Sequence, residues 1–184
     1  CTMLENIKIP NVLFLDVETA PIVYQYKDLG EDVRSLWNTK FRYQQTESPE
    51  DLYKKAGVYA EFAKVICISV GFFNDETLRI KSFFGDDEKK LLQDFAGLLS
   101  MHYNGNDHLL CAHNGKEFDF PFLCRRMLVN GIALPKILNI AGKKPWEINH
   151  LDTMELWKFG DYKNYTSLNL LANIFKIPTP KDDI

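Results

Sequence analysis

No apolar run in these 184 residues approaches the roughly twenty consecutive positions that a membrane-spanning helix needs. No signal-peptide pattern opens the chain either. It begins Cys1-Thr2-Met3, so Met3 reads as a natural start behind two extra residues. Cysteine is scarce: four residues, at 1, 67, 111 and 124, with no metal-type spacing. Cys67 and Cys111 sit inside apolar strand-like runs, where a reduced, buried thiol is the ordinary expectation. That points to a reducing, cytoplasmic setting. His102, His108, His113 and His150 form no zinc pattern. An excess of positive charge is also missing: the formal net charge of −3 does not advertise nucleic-acid binding. Such a balance is equally what an enzyme gathering metal-binding carboxylates shows, and local charge matters more for phosphate contact. Arg125-Arg126, Lys143-Lys144, Lys54-Lys55 and the pair Lys40 and Arg42 are the local candidates, although such pairs are more often solvated faces. There is no internal repeat, no low-complexity tract and no second domain. With 46% hydrophobic and 26% charged residues, the composition is that of one globular domain covering 1–184.

The most informative stretch is Asn11 to Pro21, NVLFLDVETAP. Val12-Leu13-Phe14-Leu15 is a short continuous apolar run, the pattern of a central strand covered on both faces. It ends in Asp16-Val17-Glu18, and side chains at i and i+2 of an extended backbone point to one side of a sheet. Paired carboxylates at a strand end repel unless a cation lies between them. Oxygen ligands of this kind suit Mg²⁺ or Mn²⁺ rather than zinc. Taken alone, the triplet also fits a strand that simply reaches water there.

An aromatic-rich insertion follows at about 22–63, with no clean periodicity. Ser48 fits the N-cap of a helix opened by Pro49-Glu50-Asp51 and running through Leu52, Tyr53 and Ala56. Its aromatics, interleaved with Lys40, Arg42, Lys54 and Lys55, could stack on unpaired bases. Fastening the insertion to the core is the more ordinary use of each ring. Lys64–Phe73 and Leu78–Phe84 read as a hairpin turning at Asn74-Asp75-Glu76. A helix follows, opened by Gly85-Asp86-Asp87-Glu88, with Leu91, Leu92, Phe95, Leu98 and Leu99 in one stripe. His108–Ala112 is a buried strand and Phe118–Val129 a helix ended by Asn130-Gly131. Ile148–Met154 is a strand or a strand-to-helix junction. Thr166 is expected to cap a last helix. Together these elements make an α/β protein: a mixed sheet with flanking helices.

A second carboxylate stands in His113-Asn114-Gly115-Lys116-Glu117-Phe118-Asp119, after the fourth strand. On local grounds Asp119 is a helix cap, since Asp is favoured there and Pro121 fits the first turn. D-x-E ending the first strand, followed by H-N-x(3)-F-D opening a helix after the fourth, resembles the DEDD superfamily of 3′–5′ exonucleases. Their fold is a ribonuclease-H-like mixed sheet. The closest likeness is to predicted exonucleases related to the proofreading domain of family-B DNA polymerases. Supporting stretches are Ala56–Val65 with ICISVG after it, and Ser167-Leu168-Asn169-Leu170-Leu171-Ala172.

The resemblance implies two-metal phosphodiester cleavage at the 3′ end of single-stranded DNA, with two Mg²⁺ or Mn²⁺ ions. By position, Asp16 would bridge both ions, Glu18 would help hold the one binding the attacking water, and Asp119 would serve the second. Thr19 and Ala20 would line the pocket for the terminal nucleotide, and Asn114 and Phe118 would border the strand being cut. Nothing in the residues separates DNA from RNA, and no membrane or protein partner is implied.

The family's fourth carboxylate, in Tyr-x(3)-Asp or His-x(4)-Asp, has no counterpart after Asp119. Tyr103 and Asp107 have the Tyr-type spacing but precede the second motif; Asp152 reads as structural, and Asp182 and Asp183 lack the partner. The chain therefore reads as cut short at its C-terminus, the third motif lying beyond Ile184, and as it stands it is expected to bind one metal weakly and to cut poorly. The alternative is a nucleic-acid-binding module with a degenerate, inactive nuclease site.

Overall fold

The computed structural model describes residues 2–44 and 46–178. Cys1 and the stretch from Thr179, with Asp182 and Asp183, lie outside them. A short helix α1 (Thr2–Glu5) leads to strand β1 (Val12–Pro21). The insertion carries α2 (Glu31–Phe41) and α3 (Pro49–Tyr53). Next come β2 (Ala63–Asn74), β3 (Thr77–Phe84), α4 (Glu88–His102), β4 (Leu109–Ala112) and α5 (Asp119–Val129). The described chain ends with β5 (Leu151–Asp152), α6 (Thr153–Lys158) and α7 (Leu168–Ile174).

The five strands form one sheet in the order β3-β2-β1-β4-β5. β1 pairs antiparallel with β2 and parallel with β4, so the sheet is mixed, with β1 at its centre. Alternation along β1 sets the layers. Leu13, Leu15 and Val17 are buried in the main core with Ile68, Val70 and Phe83 from the hairpin. Leu92, Phe95 and Leu99 of α4 and Phe120, Leu123 and Met127 of α5 close the same core. Each fully buried side chain of this size contributes about 1.5–3 kcal/mol of transfer free energy. On the opposite face Val12 packs with Cys111 and Leu151, and further along that face Asp16 and Glu18 emerge exposed.

The insertion has an aromatic core of its own. Trp37 lies at its centre, 4.4–5.7 Å from the rings of Phe41, Tyr53, Tyr59 and Phe62, and its indole N–H donates to the Pro49 carbonyl at 2.8 Å. These rings fasten the insertion together, while Tyr24 and Tyr43 remain exposed. α2 escapes a periodicity search because Trp37 and Phe41 are its only buried residues. Ser48 caps α3 as expected, its hydroxyl accepting the Asp51 N–H, but α3 ends at Tyr53 and a 3₁₀ turn takes over at Ala56–Val58. Thr166 does not cap α7. Ser167 does, accepting the Leu170 N–H at 3.2 Å.

Candidate active site

The parallel β1–β4 ladder runs only from Val12↔Leu109 to Phe14↔Cys111, so β1 continues past the end of its neighbour. The chain leaving β4 turns at once through 113–118. Asn114 adopts a left-handed φ of 64° in that turn. At Gly115 an added Cβ would sit 2.5 Å from the Ala112 Cβ and 2.9 Å from the Phe120 ring, so no side chain fits.

Asp152, at the end of β5, locks this turn. Its carboxylate accepts N–H bonds from Asn114 (2.9 Å), Lys116 (3.1 Å), Met154 (3.0 Å) and Glu155 (3.3 Å). One buried acid thus caps α6 and fixes the loop before α5, the structural role expected of it. His113 adds a second tie. Its Nε2 donates to the Thr166 carbonyl at 2.8 Å, which leaves Nδ1 to accept the Thr153 hydroxyl at 2.9 Å.

Held in this way, α5 begins beside the middle of β1. Asp119 is its first residue, buried, and the capping position belongs to Phe118, whose side chain makes no cap. The carboxylate reaches across to β1 instead. Its Oδ1 accepts the Val17 N–H at 3.1 Å, a donor that β4 has already passed by. Burial first, and then the charge of Asp16, pushes the Asp119 carboxyl up to about 7. Hydrogen bonds from its own backbone N–H and then from Val17 oppose this without cancelling it.

The sequence-predicted residues separate into three groups. Asp16 and Asp119 are brought together across the β1–α5 junction, and exposed Glu18 follows two residues along the same face of β1. Beyond Glu18 the register shifts: Glu18 opposes Cys67 and Thr19 opposes Val65, leaving Ile66 as an extra residue on β2. Thr19, half-buried past that bulge, donates its hydroxyl to the Gly57 carbonyl at 2.7 Å and ties the insertion to β1. Ala20 is half-buried beside it. Asn114 contributes backbone, its carbonyl accepting the Phe118 N–H at 2.9 Å, and Phe118 packs on Phe122 with ring centroids 5.4 Å apart.

A buried carboxylate whose ionisation is opposed by a second carboxylate is an arrangement that a cation relieves, and the all-oxygen donors suit a hard divalent ion. The pair fits such a group. Among the described residues no set of three or more His, Cys, Asp or Glu side chains forms a cluster that could hold a metal.

Sequence reasoning missed the buried pair of Glu88 and Arg126. Arg126 Nε and Nη2 meet the two Glu88 oxygens at 2.8 and 2.6 Å, while its Nη1 donates to the Ala60 carbonyl. The Val65 N–H and the Asn130 amide complete the acceptor's shell. Burial drives the Glu88 carboxyl up, and the hydrogen bonds outweigh it, leaving it below the usual range. Arg126 is therefore no phosphate contact; only Arg125 of that pair is exposed. Lys54 and Lys55 are likewise engaged, with Asp51 and Glu47.

A family model of the RNase_H superfamily matches residues 55–184. The chain belongs to that superfamily. Its five-stranded sheet in the order 3-2-1-4-5 with flanking helices is the ribonuclease-H-like fold. RNase_H superfamily members are commonly nucleases acting on nucleic acids, typically with divalent metals. No curated protein matches the chain. Among solved structures it is similar to the family B DNA polymerase from the hyperthermophilic archaeon Pyrobaculum calidifontis, at 13% identity and a TM-score of 0.47. That match covers 91% of this chain and 18% of the polymerase, so the chain spans less than a fifth of its length.

Proposed function

We propose that this domain is a divalent-metal-dependent 3′–5′ exonuclease that hydrolyses phosphodiester bonds at the 3′ ends of single-stranded DNA. The observation that carries the reading is Asp119. A helix-opening acid accepts an N–H of the first strand, beside Asp16, as well as its own backbone N–H. Asp16, Glu18 and Asp119 are the residues we assign to catalysis and to holding Mg²⁺ or Mn²⁺. A divalent ion, when bound, supplies the positive charge that answers the negative charge building on phosphoryl oxygens. Asp119 presents a full charge only after giving up its proton, so loading the site releases that proton. Thr19, Ala20, Asn114 and Phe118 are proposed to border the terminal nucleotides. Thr19 does so chiefly through backbone because its hydroxyl is engaged with Gly57, and Asn114 through its side-chain amide because its backbone N–H and carbonyl are engaged with Asp152 and Phe118.

A second reading, a nucleic-acid-binding module with an inactive site, draws on the lack of a three-residue metal cluster among the described residues. The two part on a 5′-labelled single-stranded oligonucleotide incubated with Mn²⁺ or Mg²⁺. Shortening from the 3′ end by the wild type, lost in Asp16→Ala and Asp119→Asn, is the expected outcome. Binding without any shortening would leave the module reading in its place.

A further inference from the structure

The strand registers extend the candidate site sideways across the sheet. Directly paired residues of neighbouring antiparallel strands share a face, with Cβ atoms about 5 Å apart. On the face carrying the carboxylates, Asp16 pairs with Ser69, and Ser69 with Ser82. In the adjoining row Glu18 pairs with Cys67, and Cys67 with Phe84. The two serine hydroxyls lie 3.0 Å apart, and the Cys67 thiol lies 3.7 Å from Ser69, so the side chains sit together as the register requires. The bulge at Ile66 falls beyond Glu18, so both rows cross three strands unbroken.

Phe84 ends one row at the sheet edge and is 77% exposed, belonging to no apolar cluster of the described residues. It does little for the stability of its own chain. A bare aromatic on an edge strand invites a partner. A second copy is a poor one, because two β3 edges joined antiparallel about Ile80 would set Arg79 against Lys81. Continuity with the carboxylates points elsewhere: Phe84 stands two strands from Glu18, about 10 Å at the usual spacing.

We infer that these two rows are the track of a single-stranded nucleic acid running from Asp16 and Glu18 to the open edge. Phe84 stacks on an unpaired base, and the Ser69–Ser82 hydroxyls hydrogen-bond sugar or phosphate oxygens. The inference rests on the nuclease reading and adds the course of the strand. With no Lys or Arg in either row, the grip here is stacking, which accepts any base.

The test is fluorescence anisotropy of a 5′-labelled oligothymidine, alongside 3′ shortening of the same strand, for the wild type, Phe84→Ala, Phe84→Trp and Ser82→Ala. Phe84→Ala is expected to bind roughly tenfold more weakly, the scale of one lost base stack, with an unchanged melting temperature. Phe84→Trp restores affinity, and its added indole is quenched by the strand. Ser82→Ala weakens binding several-fold. If the wild type binds and cuts while Phe84→Ala matches it, the track is wrong and the nuclease reading stands. If the wild type neither binds nor cuts, both fall. Self-association that Phe84→Ala abolishes, with oligonucleotide affinity unchanged, would make a second copy the occupant and overturn the inference.

Discussion

Asp119 is the residue on which site and stability oppose each other. Its carboxyl is carried from an ordinary 3.8 up to about 7 by burial and by Asp16. A raised acid favours the folded state only while protonated: that contribution is complete below 3.8 and is lost as pH rises through about 7. Above that range the metal-free fold carries a penalty on the order of 4 kcal/mol. Asp119→Asn removes the charge and keeps an oxygen for the Val17 N–H. In chelator it should melt well above the wild type near pH 8, and the gap should close towards pH 4. A gap of constant size across that range would show that Asp119 is not the titrating group. Glu88 behaves in the opposite sense, because its partners hold it below the usual value, so its contribution is present near neutrality and fades in acid. Arg126→Met strands that carboxylate in the core and should cost about 3–5 kcal/mol, read as a lower denaturant midpoint. Removing both partners, as in Glu88→Met with Arg126→Met, should recover much of the loss.

At the scale of elements, the loop between β4 and α5 is held from outside, by Asp152. Asp152→Ala takes away the acceptor for four backbone N–H groups and the cap of α6. A loss of roughly 2–4 kcal/mol is expected, together with weakened Mn²⁺ binding by calorimetry, because the start of α5 is no longer held. Stability lost with Mn²⁺ affinity intact would place the loop outside the site. Much of the fold was legible in the sequence: the hairpin and α4 lie where strand runs and a helical stripe put them, and α5 where its end signals put it. β1 starts at its apolar run but continues through Asp16 and Glu18 to Pro21, alternating in burial rather than covered on both faces. α2 was not legible, since only two of its residues face inward. Asp119 looks like a cap because Asp before a first-turn Pro is a local signal. What decides its role is the Val17 N–H, 102 positions away. Arg126 misled for a similar reason: beside Arg125 it reads as surface charge, and only the fold supplies Glu88. Thr166 and Ser167 are both capping residues, and one position of helix phase separates them.

At the scale of the molecule, the main core and the aromatic core of the insertion are separate apolar clusters. Trp37→Ala should cost about 3–5 kcal/mol, felt first in the insertion. Limited proteolysis is expected to cut between 22 and 62 before the sheet yields, and simultaneous loss of both would make them one cooperative unit. No helix of the described residues is long and apolar enough to cross a membrane. The Val17–Asp119 bond has a consequence in time. The β2–β3 hairpin closes over a two-residue turn and can form early, whereas the carboxylate pair waits for β4 and α5, across about a hundred residues of chain. In stopped-flow refolding, hairpin signals should therefore precede metal affinity, which arrives with the slowest phase. In a nascent chain the hairpin can close long before the two carboxylates meet, and the sheet itself is finished only after them, when β5 arrives.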